Sequence, residues 1–337
     1  MRRAIAYGVA LLIAAYALVY IPTGYYMVAP GEVRDLSGVV TVDGGSKRRD
    51  GRLFIVTVST RQANAVIHLY GLINPAVGLR PKGQFLPPGK DEKEYFEESR
   101  RMMRESQEVA KVAALKKLGY DARLSGEGAR VVEVMEGSPA GGVLQPGDVI
   151  VGVDGRPVEI ADDLVREMKR FSPGEEVELD YIRGGKRTRA KVSCATHPED
   201  PGRAALLLRV ETSGWAAVVP VRVSIDTGDI TGPSGGLMLA LEIIRQMNPA
   251  GDITAGGLVA GTGTIAPTGE VGPVGGVMQK VIAAERAGAT VFFAPVENAD
   301  EAMRAARRIR VVPVSTLDDA LRYLEQSGGA PVRAAAS

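Results

Sequence analysis

The sequence predicts a mixed α/β chain: an N-terminal transmembrane helix, then a β-rich domain with helices, then a terminal α/β domain. Three observations carry that expectation. An uncharged, mostly apolar run occupies residues 4–21, short strands and glycine turns crowd residues 118–194, and strands alternate with helices after residue 206. A length of 337 residues suits two modest domains with additions. Hydrophobic residues at 45% and charged residues at 24% are ordinary globular values, which excludes wholesale disorder.

Composition also removes several kinds of chemistry. The formal net charge is +1, so no basic footprint for nucleic acid exists. A single cysteine, Cys194, excludes a disulfide within the chain and any multi-cysteine zinc site. With only His68 and His197, a multi-histidine metal site is not expected, and neither is any cofactor. Hydrolytic chemistry here would run without metal.

The N-terminal run follows the basic pair Arg2-Arg3, and the next charge is Glu32. Its 18 residues approach the roughly 20 that a helix needs to cross a bilayer. Tyr20, Tyr25 and Tyr26 cluster where an interfacial aromatic belt would sit. Residues 1–25 therefore read as a cytoplasmic stub and a single-pass plasma-membrane anchor, with the following domains extracytoplasmic. A cleavable signal is the competing reading, since Ala15-Tyr16-Ala17 has the small-x-small form. The apolar run continues past that site, which favours the anchor.

Residues 31–117 read as an extracytoplasmic strand segment followed by a helix that packs on the terminal domain. LFIVTVS, from Leu53, is a β-branched run after the turn signal Asp50-Gly51, and residues 65–72 form a second candidate element. Four prolines make residues 75–90 unlike a helix. Residues 91–117 are rich in Glu, Lys, Arg, Met and Ala, with Met102, Met103, Val109, Val112 and Ala113 at roughly helical spacing and Gly119 as a stop. That stripe reads as core packing.

Residues 118–195 change texture. Leu118-Gly119-Tyr120 leads the strand-like YDARL, then SGEG, ARVVEVM, EGSPA, LQPGDVI and VGVDGRPV; a helical ADDLVREMKRF and two further strands follow. In order and spacing this resembles a bacterial-type PDZ domain. The resemblance implies an edge strand that takes an extended peptide, and a loop of amides that receives its C-terminal carboxylate. By order in the chain the loop is expected at Leu118, Gly119 and Tyr120, with Leu164 and Met168 lining the side-chain pocket. A PDZ fold with a closed groove that binds nothing is the plain alternative.

Three clusters mark residues 206–326. Thr231-Gly232-Pro233-Ser234-Gly235-Gly236 precedes the apolar helix LMLALEII, Gly261-Thr262-Gly263-Thr264 ends a strand, and Gly275-Gly276-Val277-Met278-Gln279-Lys280 enters another helix. Singly, Ser234 could be a helix cap and Lys280 a solvated lysine. Together these segments resemble the proteolytic domain of Lon-type proteases, and with the PDZ segment and anchor they resemble membrane-anchored Lon-like bacterial proteases. The resemblance implies Ser234 as nucleophile, Lys280 as its base and Thr262 as support for the lysine. It also implies a homo-oligomer, a hexameric ring among its forms, acting on protein or peptide substrates. Gly235 departs from the family, where alanine is common, and Thr231 stands where Asp or Gly is frequent.

The residues can do this chemistry. A serine hydroxyl needs a neighbour to take its proton, and lysine, near 10.4 in water, must be lowered toward roughly 7–8 to serve. Residues 271–279 contain no ionisable group, so burial can do the lowering. A threonine hydroxyl orients the neutral amine without stabilising its charged form. Pro233 has no N–H, so oxyanion donors come from elsewhere. No G-x-x-x-x-G-K-[ST] occurs, so hydrolysis is expected to be ATP-independent. The alternatives are a non-catalytic PDZ scaffold on an inactive protease fold, and a protease that processes only itself. Residues 327–337 read as a flexible tail.

Overall fold

A computed structural model describes residues 18–46, 50–87, 89–198 and 200–333, with residues 3, 5, 7–9 and 16. Two compact units divide the chain, one of residues 1–122 and 219–337 and the other of residues 123–218. The first unit opens with β1 (Pro22–Asp35), β2 (Val40–Val42), β3 (Arg52–Asn64), α1 (Ala65–Ile73), β4 (Gly78–Pro81), α2 (Lys82–Phe85) and α3 (Glu92–Lys117). The β-branched run becomes the first half of β3, where residues 53–56 are all buried. The short α2 lies within the proline-rich stretch that was expected to lack helix.

The second unit contains β5 (Arg123–Ser125), β6 (Gly128–Val134), β7 (Val149–Val153), β8 (Arg156–Pro157), α4 (Ala161–Met168), β9 (Glu176–Arg183), β10 (Lys186–Ser193), β11 (Ala195–His197), β12 (Asp200–Ala205), β13 (Leu208–Ser213) and β14 (Ala216–Val218). Its main sheet has the order β10-β9-β7-β6-β13, and α4 lies against it. Ile150, Val153 and Leu179 are fully buried at its centre.

The chain then returns to the first unit with β15 (Val223–Ile225), α5 (Gly236–Met247), β16 (Leu258–Gly261), β17 (Thr264–Ile265), β18 (Val271–Gly272), α6 (Val277–Arg286), β19 (Val291–Pro295), α7 (Ala299–Ala305), β20 (Arg310–Val314) and α8 (Leu317–Gln326). Six strands make its sheet, in the order β20-β19-β16-β3-β1-β4. The β20, β19, β16 and β3 neighbours are parallel, while β1 runs antiparallel to both β3 and β4. The segment that precedes the PDZ-like region thus supplies three strands of the α/β sheet. Helix α5 is apolar almost all round and is buried along nearly its whole length, as such a helix must be. Its three polar exceptions are tied up: Arg245 and Gln246 both donate to Glu242, and Arg245 also donates to the Gly51 carbonyl.

The expected N-terminal transmembrane helix is corrected. Among the described residues no helix is long and apolar enough to cross a membrane, which goes against the expected single-pass plasma-membrane anchor. Much of residues 1–17, on which that expectation rested, lies outside the described residues. The described part shows why Tyr26 misled. Pro22 begins β1, where alternating side chains point to opposite faces of the sheet. Tyr26 is 1% exposed and stacks on Phe85 at 4.3 Å between ring centroids. It is a core residue of a strand, and no part of an interfacial belt.

Candidate active site

Three glycine-rich turns of the first unit come together, and two of them, residues 231–235 and 275–276, line one cavity. The first turn, residues 231–235, enters α5 and carries Ser234. Gly263, just past β16, donates its N–H to the Ser234 carbonyl at 2.8 Å, and its own carbonyl accepts from Leu237 N–H at 3.2 Å. Gly263 has φ 152°, and a Cβ there would stand 2.7 Å from Val271 Cγ1, so no larger residue fits this approach. The third turn ends at Gly276, whose φ of 67° starts α6 one turn before Lys280. A Cβ on Gly276 would meet Val58 Cγ1 at 2.8 Å.

These turns bring together Ser234, Thr262 and Lys280. Lys280 Nζ donates to Ser234 Oγ at 3.0 Å and to Thr262 Oγ1 at 3.0 Å. Thr262 Oγ1 in turn donates to the Ser234 carbonyl at 3.0 Å. The lysine is 3% exposed, and burial alone lowers its pKa from 10.5 to about 8. No carboxylate contributes to that shift, which agrees with the uncharged residues preceding it. An amine so placed is partly neutral near neutral pH and can accept a proton from the hydroxyl it faces.

The cavity around Ser234 and Lys280 measures about 950 Å³. Its walls include Val28 and Pro30 of β1, Leu79 of β4, Phe85, and Tyr95, Phe96 and Met103 of α3. The apolar stripe of α3 contains one polar residue that composition did not flag. Ser106 is 6% exposed, and its Oγ donates to the Pro233 carbonyl at 3.0 Å. Two turns earlier on α3 the Ser99 carbonyl accepts from Gly232 N–H at 2.9 Å. A hydroxyl at a buried helix position was the available signal. Met103 is buried on this face, whereas Met102 is exposed.

The expected PDZ carboxylate loop is corrected. Leu118, Gly119 and Tyr120 close α3 in the first unit. Leu118 N–H donates to Ala114, Gly119 N–H to Lys116 at 2.9 Å and Tyr120 N–H to Leu115 at 3.0 Å, and Gly119 has φ 84°. This is a Schellman-type helix end, and all three amides are already used. Leu164 and Met168 lie in the second unit, on the buried face of α4. There they line a groove of about 500 Å³ with Val165, Leu206, Leu208 and Val210. The strand flanking that groove is β13, paired antiparallel with β6. Leu207, just before it, has φ 51°. The amides of Leu206 and Leu207 meet no backbone acceptor among the described residues.

Among the described residues no group of three or more His, Cys, Asp or Glu side chains could hold a metal ion. Residues 116–194 match the PDZ domain family, and residues 218–325 match the Lon protease (S16) C-terminal proteolytic domain. A probable periplasmic serine endoprotease DegP-like of Ectopseudomonas mendocina (strain ymp) is 42% identical over 74 residues, 22% of this chain and 16% of that protein. The like-named protein of Pseudomonas fulva (strain 12-X) is 41% identical over 76 residues, again 22% of this chain and 16% of its own length. The chain therefore spans about one sixth of these relatives. The crystal structure of the PDZ domain of an SdrC-like protein from Listeria monocytogenes is 22% identical, covers 25% of this chain and 87% of that one, and superposes with a TM-score of 0.23, too low to carry weight. The chain thus contains a region similar to PDZ domains and a region similar to the Lon proteolytic domain. Residues 218–325 are the part that resembles Lon.

Proposed function

We propose that the chain is an endopeptidase in which Ser234 is the nucleophile, Lys280 its general base and Thr262 the group that orients the lysine. The observation that carries this reading is the buried Lys280 amine 3.0 Å from Ser234 Oγ. Neutral Lys280 takes the hydroxyl proton as Ser234 Oγ attacks the scissile carbonyl carbon. The tetrahedral intermediate then collapses, the C–N bond breaks, and Lys280 returns the proton to the leaving amine. Water, activated by the same amine, hydrolyses the acyl-enzyme and releases Ser234. Thr262 accepts from the amine and so fixes its direction, yet adds no negative charge that would hold it protonated.

No nucleotide enters this scheme, because the chain contains no phosphate-binding G-x-x-x-x-G-K-[ST] sequence. Substrates are flexible or unfolded protein segments that can lie extended in the cavity. The second unit recruits them by their C-termini. The groove beside α4 offers apolar walls for a terminal side chain, and the free amides of Leu206 and Leu207 suit a carboxylate. Assembly into a homo-oligomer belongs to the same reading.

The test is hydrolysis of an unstructured protein by the full chain without ATP, beside Ser234→Ala and Lys280→Ala. Cleavage that both substitutions abolish supports the assignment. A folded parent as inert as the two variants sinks it and leaves a PDZ scaffold on an inactive protease fold. Peptide binding to Leu164→Lys, measured with the same peptide carrying a free or an amidated C-terminus, separately tests the groove.

A further inference from the structure

We infer that Ser106 of α3 is a positioning residue that aims the backbone N–H of Ser234 at the oxyanion. The inference rests on the peptidase reading above. A peptide unit is planar, and no peptide bond among the described residues is cis, so the Pro233 carbonyl and the Ser234 N–H point in opposite directions. Whatever holds that carbonyl therefore sets the direction of the nucleophile's own amide. Two donors hold it: Ser106 Oγ at 3.0 Å, and Gly236 N–H at a longer 3.3 Å. The Ser106 hydroxyl is the shorter contact and comes from a different element.

The rest of the turn agrees. Neither Ser234 N–H nor Gly235 N–H meets a protein acceptor among the described residues, although both residues line the cavity. Gly232 N–H is tied to Ser99 on the same face of α3, so the helix grips the turn on both sides of Pro233. Ser106 also packs against the start of α5, since a Cβ on Gly236 would stand 2.9 Å from its Oγ. A carbonyl anchored away from the cavity and an unpaired amide on the opposite side make a preorganised donor. Pro233, which has no N–H, cannot supply one itself.

The experiment compares the full chain with Ser106→Ala and Ser106→Thr, using a chromogenic peptide, a peptide boronate and a serine-labelling fluorophosphonate. Alanine is a good helix former, so the variant should fold. Expected for Ser106→Ala is about a tenfold loss of kcat per labelled site with KM unchanged. That is a fraction of the roughly 10²–10³ lost when an oxyanion donor is deleted outright. Affinity for the boronate, which forms a tetrahedral adduct, should fall in parallel, while the pH at which Lys280 titrates stays where it is. Ser106→Thr keeps the hydroxyl and should restore kcat; if it does not fold, the alanine variant decides alone. Unchanged kcat per labelled site in Ser106→Ala overturns the inference, including the case where only the number of labelled sites falls. A parent that neither cleaves nor labels sinks the peptidase reading first, and this inference with it.

Discussion

Lys280 Nζ lies 3.0 Å from Ser234 Oγ, and burial alone has brought its pKa down to about 8. On the peptidase reading the base must be neutral, so kcat/KM rises with pH and levels off above about 8. Below that value it falls tenfold per pH unit as the ammonium forms. A pH–rate profile of the full chain checks this. A profile flat between pH 6 and 9, or one that inflects near the ordinary lysine value, would remove Lys280 from the base role.

The same burial makes Lys280 costly to the fold. Its pKa is lowered in the folded state, so between about 8 and 10.5 the unfolded chain binds more protons and stability rises with pH. Below that window the penalty is fully present, about 3 kcal/mol at pH 7 from a shift of that size. Lys280→Met fills the same space without a charge and should stabilise the chain by roughly 2–3 kcal/mol at pH 7. The gain should shrink above pH 10. Urea denaturation of parent and variant at both pH values measures it, and a destabilised methionine variant at pH 7 would contradict the burial argument.

Thr262 bridges the two other groups, donating to the Ser234 carbonyl and accepting from Lys280. Thr262→Val keeps the shape and removes both bonds, and should lower kcat at least roughly tenfold, the effect of about 1.4 kcal/mol. Thr262→Ser should retain most activity. Steady-state kinetics of the pair decides, and equal rates in valine and serine variants would assign Thr262 to packing alone.

Much of this arrangement could be anticipated from local patterns. The glycine-rich clusters around Ser234, Thr262 and Lys280 are short, and each turn needs its glycines for reasons the chain states locally. Gly263 and Gly276 show this, since a side chain at either would collide. The long helix α3 was also plain, with Asp91 and Glu94 forming a capping box at its start. Most of what escaped depends on partners far away in sequence, the local helix end at Leu118-Gly119-Tyr120 excepted. Tyr26 resembles an interfacial aromatic until β3 and Phe85 cover it. Leu118-Gly119-Tyr120 resembles a binding loop until the α3 carbonyls claim its amides. The strand flanking α4 is β13, which lies some forty residues after that helix in the chain. Ser106 gains meaning only from Pro233, 127 positions away.

Gly235 offers a final test, because the resembling proteases commonly have alanine at that position. Its backbone, φ −95° and ψ −4°, is open to any residue, so conformational strain does not require glycine. Space does: a Cβ there would overlap Ile55 Cδ1 and stand 3.2 Å from its Cγ1. Ile55 is 2% exposed within β3, so its terminal methyl has little room to swing away. Gly235→Ala alone should therefore cost about 1–3 kcal/mol, the usual range for overpacking a core, and should displace the adjacent Ser234 enough to lower kcat. Ile55→Val removes the offending methyl and by itself costs about 0.5–1.5 kcal/mol. Combined, the two should be less damaging than their sum, with kcat largely restored. A double-mutant cycle in both stability and kcat measures that coupling, and strict additivity would show that something other than Ile55 dictates the glycine.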